Sequence, residues 1–112
     1  MKTRLLLTLG AMALIGCDHH AAETPTTVDA PEARVSIDNF SFSPTNLMVH
    51  PGTRVTWTNR DDVPHTVTES VKAFSSSALD TDQTFSRLFD KPGTYSYYCA
   101  VHPHMTGKVI VK

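Results

Sequence analysis

The chain is poor in several features that define other protein classes. Of its 112 residues only two are cysteine, Cys17 and Cys99. That is too few for the dense disulfide framework of a small secreted scaffold. Ten Lys and Arg stand against 11 Asp and Glu with no basic cluster, which leaves no electrostatic footprint for nucleic acid. No apolar run is long enough to cross a bilayer as a helix, and no segment keeps helical periodicity over three turns. The length allows one small domain with a single core, which excludes large substrate clefts and two-domain enzymes.

What is present at the N-terminus reads as an address. Lys2 and Arg4 precede the uncharged stretch Leu5–Ile15, LLLTLGAMALI, whose 11 residues fit a secretory signal core. The Leu14-Ile15-Gly16-Cys17 that ends it resembles the bacterial lipoprotein box. That resemblance implies cleavage before Cys17, diacylation of its sulfur and acylation of the new amino group. Residues 1–16 are thus expected to be a signal peptide, and Cys17 a lipidation site. Each buried acyl methylene is worth about 0.8 kcal/mol, so several chains would anchor the protein firmly. His19–Ala33 holds one Val and no larger aliphatic or aromatic residue. It buries too little to offset its ordering entropy, so 17–33 reads as the lipidated Cys plus a flexible linker. The expected location is periplasmic or extracytoplasmic, at a membrane. His19-His20 reads as tail composition and not as a metal site.

From Arg34 onward short alternating runs are separated by turn residues. Val35 and Ile37 share one face of a first strand. Parity then switches to Phe40 and Phe42, which predicts a bend or bulge near Asn39. Leu47 and Val49 face inward on the next strand, leaving Met48 and His50 outside. Pro51-Gly52 supplies a turn, and Val55, Trp57 and Asn59 then lie on one side of Thr53–Asn59. A short strand is expected over His65–Glu69, with Phe74 and Leu79 pinning the polar segment that follows. Gln83–Phe89, Thr94–Cys99 and Lys108–Val111 complete the strands. The pattern is all-β, a Greek-key β-sandwich over residues 34–112. It is small enough for a bound metal to help hold it.

The chemistry concentrates in Cys99-Ala-Val-His102-Pro-His-Met105, between the last two strands. A thiol, an imidazole and a thioether on one tight loop make a soft set that favours copper over magnesium or calcium. His65, in a loop-to-strand segment, can reach the same end. Each residue alone has a plainer reading: Met105 as core filler, Cys99 as a buried thiol, His65 as a hydrogen-bonded surface residue. Zinc could also occupy such a set. Trp57, Tyr95 and Tyr97 read as core and corner residues, and His50 and His104 as surface histidines.

With these residues the sequence resembles the cupredoxins, the small blue copper proteins, in the amicyanin form of the plastocyanin-like group. Val55-Thr-Trp57-Thr-Asn59-Arg-Asp-Asp-Val-Pro64-His65 is similar to the segment carrying the family's first His ligand. Gly93-Thr-Tyr95-Ser-Tyr97-Tyr-Cys99, His102-Pro103 and Met105-Thr-Gly107-Lys-Val109 are similar to its ligand loop and last strand. The resemblance implies one type 1 copper ion, with His65, Cys99 and His102 as trigonal ligands and Met105 as the long axial one. It implies that Asn59 ties the two ligand segments together and that the Thr66 N–H donates to the Cys99 sulfur. It further implies a monomeric, non-enzymatic carrier of single electrons between redox proteins, with His102 as electron port. No acid–base or nucleophile pair is evident beside the ligand set. A copper-delivery lipoprotein is the alternative, and a docking module with a structural metal a weaker one.

Three positions depart from the amicyanin pattern. Val101 replaces a Pro and restores an N–H close to the thiolate, which predicts a higher reduction potential than in a Val101→Pro variant. His104 replaces a Phe on a docking patch expected from Val63, Pro64, Val101 and Pro103. Protonated, it would repel a cationic partner. Arg87 shares parity with Phe85 and Phe89, which calls for a bulge or an arginine stem lying along the sheet edge.

Overall fold

A computed structural model describes residues 30–112. The expected signal peptide (1–16), the lipidation site Cys17, His19-His20 and most of the 17–33 linker lie outside the described residues. Eight strands follow in order: β1 (Glu32–Asp38), β2 (Ser41–Ser43), β3 (Asn46–Val49), β4 (Thr53–Asn59), β5 (Thr68–Glu69), β6 (Thr84–Phe89), β7 (Gly93–Tyr98) and β8 (Thr106–Val111). They form two four-stranded sheets, ordered β2-β1-β4-β6 and β3-β8-β7-β5. β1 runs parallel to β4 and β3 parallel to β8, while the other ladders are antiparallel. The domain is an all-β sandwich.

Alternation makes the core. Along β4, Thr53, Val55, Trp57 and Asn59 are all buried, and Arg54 between them is exposed. Trp57 sits at the centre, with ring centroids of Tyr97, Phe85, Phe89 and Phe74 at 5.3, 5.7, 6.2 and 6.4 Å. Val35 and Ile37 from β1 and Val109 and Val111 from β8 close the layer. Each such aliphatic side chain contributes about 1.5–3 kcal/mol by burial. Phe74 and Leu79 are buried and anchor the long segment between β5 and β6. Gly52, at φ 92°, makes the turn from β3 to β4, where only glycine adopts the left-handed region without cost.

The first strand starts earlier than the sequence pattern predicts. Glu32 and Ala33 pair with Arg54 and Val55, because the ladder to β4 needs only backbone, and half-buried Ala33 packs on the core. The bend near Asn39 is not a bulge within one strand. Asn39 and Phe40, at φ 52° and 56°, are the two central residues of a tight hairpin between β1 and β2, the geometry of a type I′ turn. Phe42 is therefore buried, and Phe40 is not. The strand expected over His65–Glu69 shrinks to two residues. His65 instead exchanges backbone hydrogen bonds with Leu79, at 3.1 and 2.7 Å.

Arg87 involves no bulge, since the β4–β6 ladder runs unbroken through Val55↔Arg87. Its guanidinium lies 4.6 Å from the Phe74 ring centroid and 5.7 Å from that of Phe89. The stem thus covers the sandwich edge while cation–π contact holds the charge.

Because β1 and β4 are parallel and in register at Ile37↔Asn59, both end on the same side of the sandwich. The Asn39-Phe40 turn and the Arg60–His65 loop consequently lie next to each other. β7 also ends there, which delivers Cys99 to the same place.

Candidate metal centre

Three side chains converge at this end. The ligand atoms of His65, Cys99 and His102 all lie within 4.8 Å of one another. His65 Nδ1 is 3.7 Å from Cys99 Sγ, and His102 Nδ1 is 3.8 Å from it. His65 and Cys99 are fully buried, and His102 is half-buried. Met105 is buried in the same loop, where its N–H donates to His102 O at 2.9 Å and its carbonyl accepts from Cys99 N–H at 3.1 Å. These two bonds curl the loop into one tight turn that keeps Met105 beside Cys99 and His102 along the backbone.

The sulfur is prepared as an anion. Burial alone would raise the Cys99 thiol, but the Thr66 N–H, His65, and His102 outweigh it and lower it to about 6. The Thr66 N–H donates to Sγ at 3.4 Å. The Thr66 hydroxyl also accepts from Ala100 N–H at 2.7 Å and meets Thr68 Oγ1 at 3.0 Å. Thr66 therefore joins the His65 segment to the Cys99 loop through both backbone and side chain.

Asn59 has a different task from the one the resemblance implies. Its amide donates to Val63 O at 2.9 Å and Leu79 O at 2.8 Å, and its carbonyl accepts from Asp61 N–H at 2.9 Å. None of its bonds reaches the Cys99–Met105 loop. Placed at the end of β4, on the opposite sheet from β7, it braces the loop that carries His65. Nor does the Val101 N–H bond to the sulfur: none of the hydrogen bonds at Sγ involves it.

Two residues that the sequence did not point to complete the site. Asp61 Oδ2 lies 2.8 Å from His65 Nε2 and 2.9 Å from Phe40 N. The Phe40 N–H and then His65 hold this carboxyl below the usual range, so it is ionised and can only accept. His65 must then donate from Nε2, which leaves the Nδ1 lone pair facing the sulfur. Cys99, His65 and Asp61 form a thiol–imidazole–carboxylate array, whose third member was missed in the sequence because Asp61 lies in an ordinary polar loop. Both Cys99 and His65 in that array are fully buried. Phe40, half exposed, has its ring centroid 5.1 Å from that of His102 and 5.5 Å from that of His65.

A buried thiol of lowered pKa, two imidazoles offering Nδ1 and a nearby thioether fit a soft, redox-active metal better than a hard cation. Within a β-sandwich, this donor set defines a small copper protein. The comparisons agree. Residues 30–112 match the family model of copper binding proteins of the plastocyanin/azurin family. Amicyanin-alpha of Methylorubrum extorquens is 35% identical over 97 residues, covering 82% of each chain. Amicyanin of Paracoccus denitrificans is 36% identical over 83 residues, covering 70% of this chain and 63% of that protein. Among solved structures, a purple cupredoxin from Nitrosopumilus maritimus superposes with a TM-score of 0.69 at 36% identity. It matches 71% of this chain and 99% of its own. A reduced tryptophan-to-tyrosine mutant of amicyanin gives 0.68 at 34% identity, covering 82% and 89%. The chain belongs to the plastocyanin/azurin family of copper-binding proteins and is similar to its amicyanins.

Proposed function

We propose that His65, Cys99 and His102, with Met105 from the same loop, would hold one copper ion. The protein then carries single electrons between redox proteins outside the cytoplasm, as a monomer anchored to a membrane by lipid on Cys17. The observation that carries this reading is the assembled donor set: both Nδ1 atoms stand 3.7–3.8 Å from Cys99 Sγ, and Thr66 N–H caps the sulfur. Bound copper would supply a one-electron couple whose two states both suit a His₂Cys set.

The chain's own residues supply the rest. Asp61 fixes the His65 tautomer and ring plane, and the fully buried His65 and Cys99 keep water from the donors. Half-buried His102 is the point closest to solvent, beside exposed Val101 and Pro103, and serves as the electron port. Copper delivery, the competing use, requires easy ligand release. The hydrogen-bonded, solvent-free His65 favours retention of the metal and hence electron carriage.

The test is a visible and paramagnetic resonance spectrum after copper addition. An intense thiolate-to-copper band is expected, and a colourless protein would reject the reading. A reversible couple with fast self-exchange supports electron carriage, whereas rapid copper loss on reduction supports delivery. For the anchor, Cys17→Ser is expected to move the protein from the membrane to the soluble fraction. An unmodified N-terminal mass in the membrane fraction would refute lipidation.

A further inference from the structure

Phe40 departs from three habits at once. It is a non-glycine residue at φ 56° in a tight hairpin, a position better suited to glycine or asparagine. The residue is 50% exposed, although Phe42, two residues on, is buried. And its backbone N–H donates to Asp61 Oδ2, the same oxygen that His65 Nε2–H reaches. Neither turn chemistry nor core packing accounts for an aromatic ring here.

The ring's neighbours do. It stands at 88° to the His102 ring and 89° to the His65 ring, with centroids 5.1 and 5.5 Å away. This edge-to-face geometry is the favourable one for aromatic pairs. The two histidines need it unequally. His65 is locked by Asp61, at 2.8 Å. Among the described residues, His102 makes no side-chain hydrogen bond beyond the 3.8 Å contact with the Cys99 sulfur. Its ring plane is otherwise set by contact with Phe40 and with the His65 ring, whose centroid is 5.1 Å away.

We propose that Phe40 is a positioning residue for the metal centre, whose ring holds the His102 imidazole against His65 in the orientation copper requires. The Asp61 carboxylate pins both sides of this arrangement, by the Phe40 backbone and by the His65 ring. The strained turn is kept because it alone brings a ring from the β1–β2 hairpin over the two imidazoles. The proposal rests on the reading of His102 as a copper ligand, and its first readout needs no copper.

Phe40→Ala and Phe40→Leu keep the same backbone demand and remove the ring, whereas Phe40→Tyr retains it. In the metal-free full chain, nuclear magnetic resonance of the His102 side chain should show one orientation in the parent and in Phe40→Tyr. It should show averaging over several in Phe40→Leu. Once loaded, Phe40→Leu and Phe40→Ala should release Cu(I) to a chelator about tenfold faster, the equivalent of ~1.4 kcal/mol, and Phe40→Tyr at the parental rate. Phe40→Leu keeps apolar cover and carries the test if Phe40→Ala folds poorly. A Phe40→Leu protein with a single parental His102 orientation overturns the proposal, as does loss of thermal stability alone with unchanged copper release. A parent that fixes His102 but binds no copper would count against the ligand reading instead.

Discussion

The hydroxyl of Thr66 provides a sharp test of how the two ligand segments are joined. Thr66→Val keeps the volume and the β-branch but removes the acceptor of the 2.7 Å bond from Ala100 N–H and the 3.0 Å contact with Thr68 Oγ1. Each lost hydrogen bond costs about 0.5–1.5 kcal/mol, and more where the orphaned group cannot find water. Thr68 Oγ1 is buried with its residue, while Ala100 lies at the surface and can recruit solvent. The expected loss is therefore about 1–2 kcal/mol. In a domain of this size that corresponds to a melting point lower by roughly 4–8 °C per kcal/mol.

Thr66→Ser separates this account from simple burial. It keeps the hydroxyl and gives up one methyl, worth at most about 0.8 kcal/mol. If hydrogen bonding governs the site, stability falls in the order Thr, Ser, Val. If strand propensity and apolar burial govern it, Val equals or exceeds Thr, and Ser comes last. Urea and thermal unfolding of the metal-free protein, with the denaturant slope checked for constancy, read this order directly. A Thr66→Val protein as stable as the parent would refute the reasoning. Because the backbone N–H to Sγ persists in both variants, their copper spectra should stay closer to the parent's than their stabilities do.

Other perturbations probe the surrounding structure. Gly107→Ala would place a methyl 2.5 Å from Tyr97 Cζ and Oη, and that ring is trapped between Phe42 and Trp57. A loss of about 1–3 kcal/mol by urea unfolding is expected, partly restored by a second change of Tyr97→Leu. In the metal-free protein, thiolate absorbance should titrate with a midpoint near the Cys99 value of about 6, lowered from 9.0. Because the folded value is depressed, this group adds stability above the unfolded thiol pKa that is lost as pH falls toward 6. A Cys99→Ser variant should lack that slope between these limits. The Asp61 carboxyl, also depressed, contributes above the ordinary carboxylate range and loses its contribution as pH falls through its lowered value. Asp61→Asn should therefore flatten the acid limb of the stability curve.

The ligand loop was legible because its chemistry is local. Cys99, His102 and Met105 are held by bonds that span only their own turn, Cys99 N to Met105 O and Met105 N to His102 O. The β4 alternation that buries Val55, Trp57 and Asn59 was legible for the same reason, being a period along one strand. Asp61 and Phe40 were not, since each acquires its role from a neighbour distant in sequence. Phe40 meets Asp61, which lies 21 positions on, only because β1 and β4 run parallel and end side by side. In Asp38-Asn39-Phe40-Ser41 only Asn39 suits a two-residue turn of this type, and Phe40 stands at the second corner, which glycine would normally mark. The alternation of Phe40 and Phe42 therefore imitated a strand face. Asn59 was misplaced by the opposite error, in which a family role was carried to the wrong residue: the tie between the two ligand segments is made by Thr66, and Asn59 bonds only within its own side of the site.

These contacts divide the metal centre into two unequal halves. On one side Asn59, Asp61 and Leu79 fix His65 by backbone and side-chain bonds, away from solvent. On the other, Cys99 and Met105 are fixed by the loop, but His102 stays half-buried and is held by ring contacts. Such asymmetry suits an electron carrier, because the two demands on it conflict. Small rearrangement between oxidation states requires immobile ligands, and transfer to a partner requires one of them near the surface, where hydrogen-bonding water would loosen it. Confining exposure to one imidazole, and covering that imidazole with a ring instead of a polar group, satisfies both without a bond that solvent could compete for. On the proposed role of Phe40, a change in the hairpin turn, outside the segments that carry the ligands, then alters the centre through His102 while leaving those segments intact.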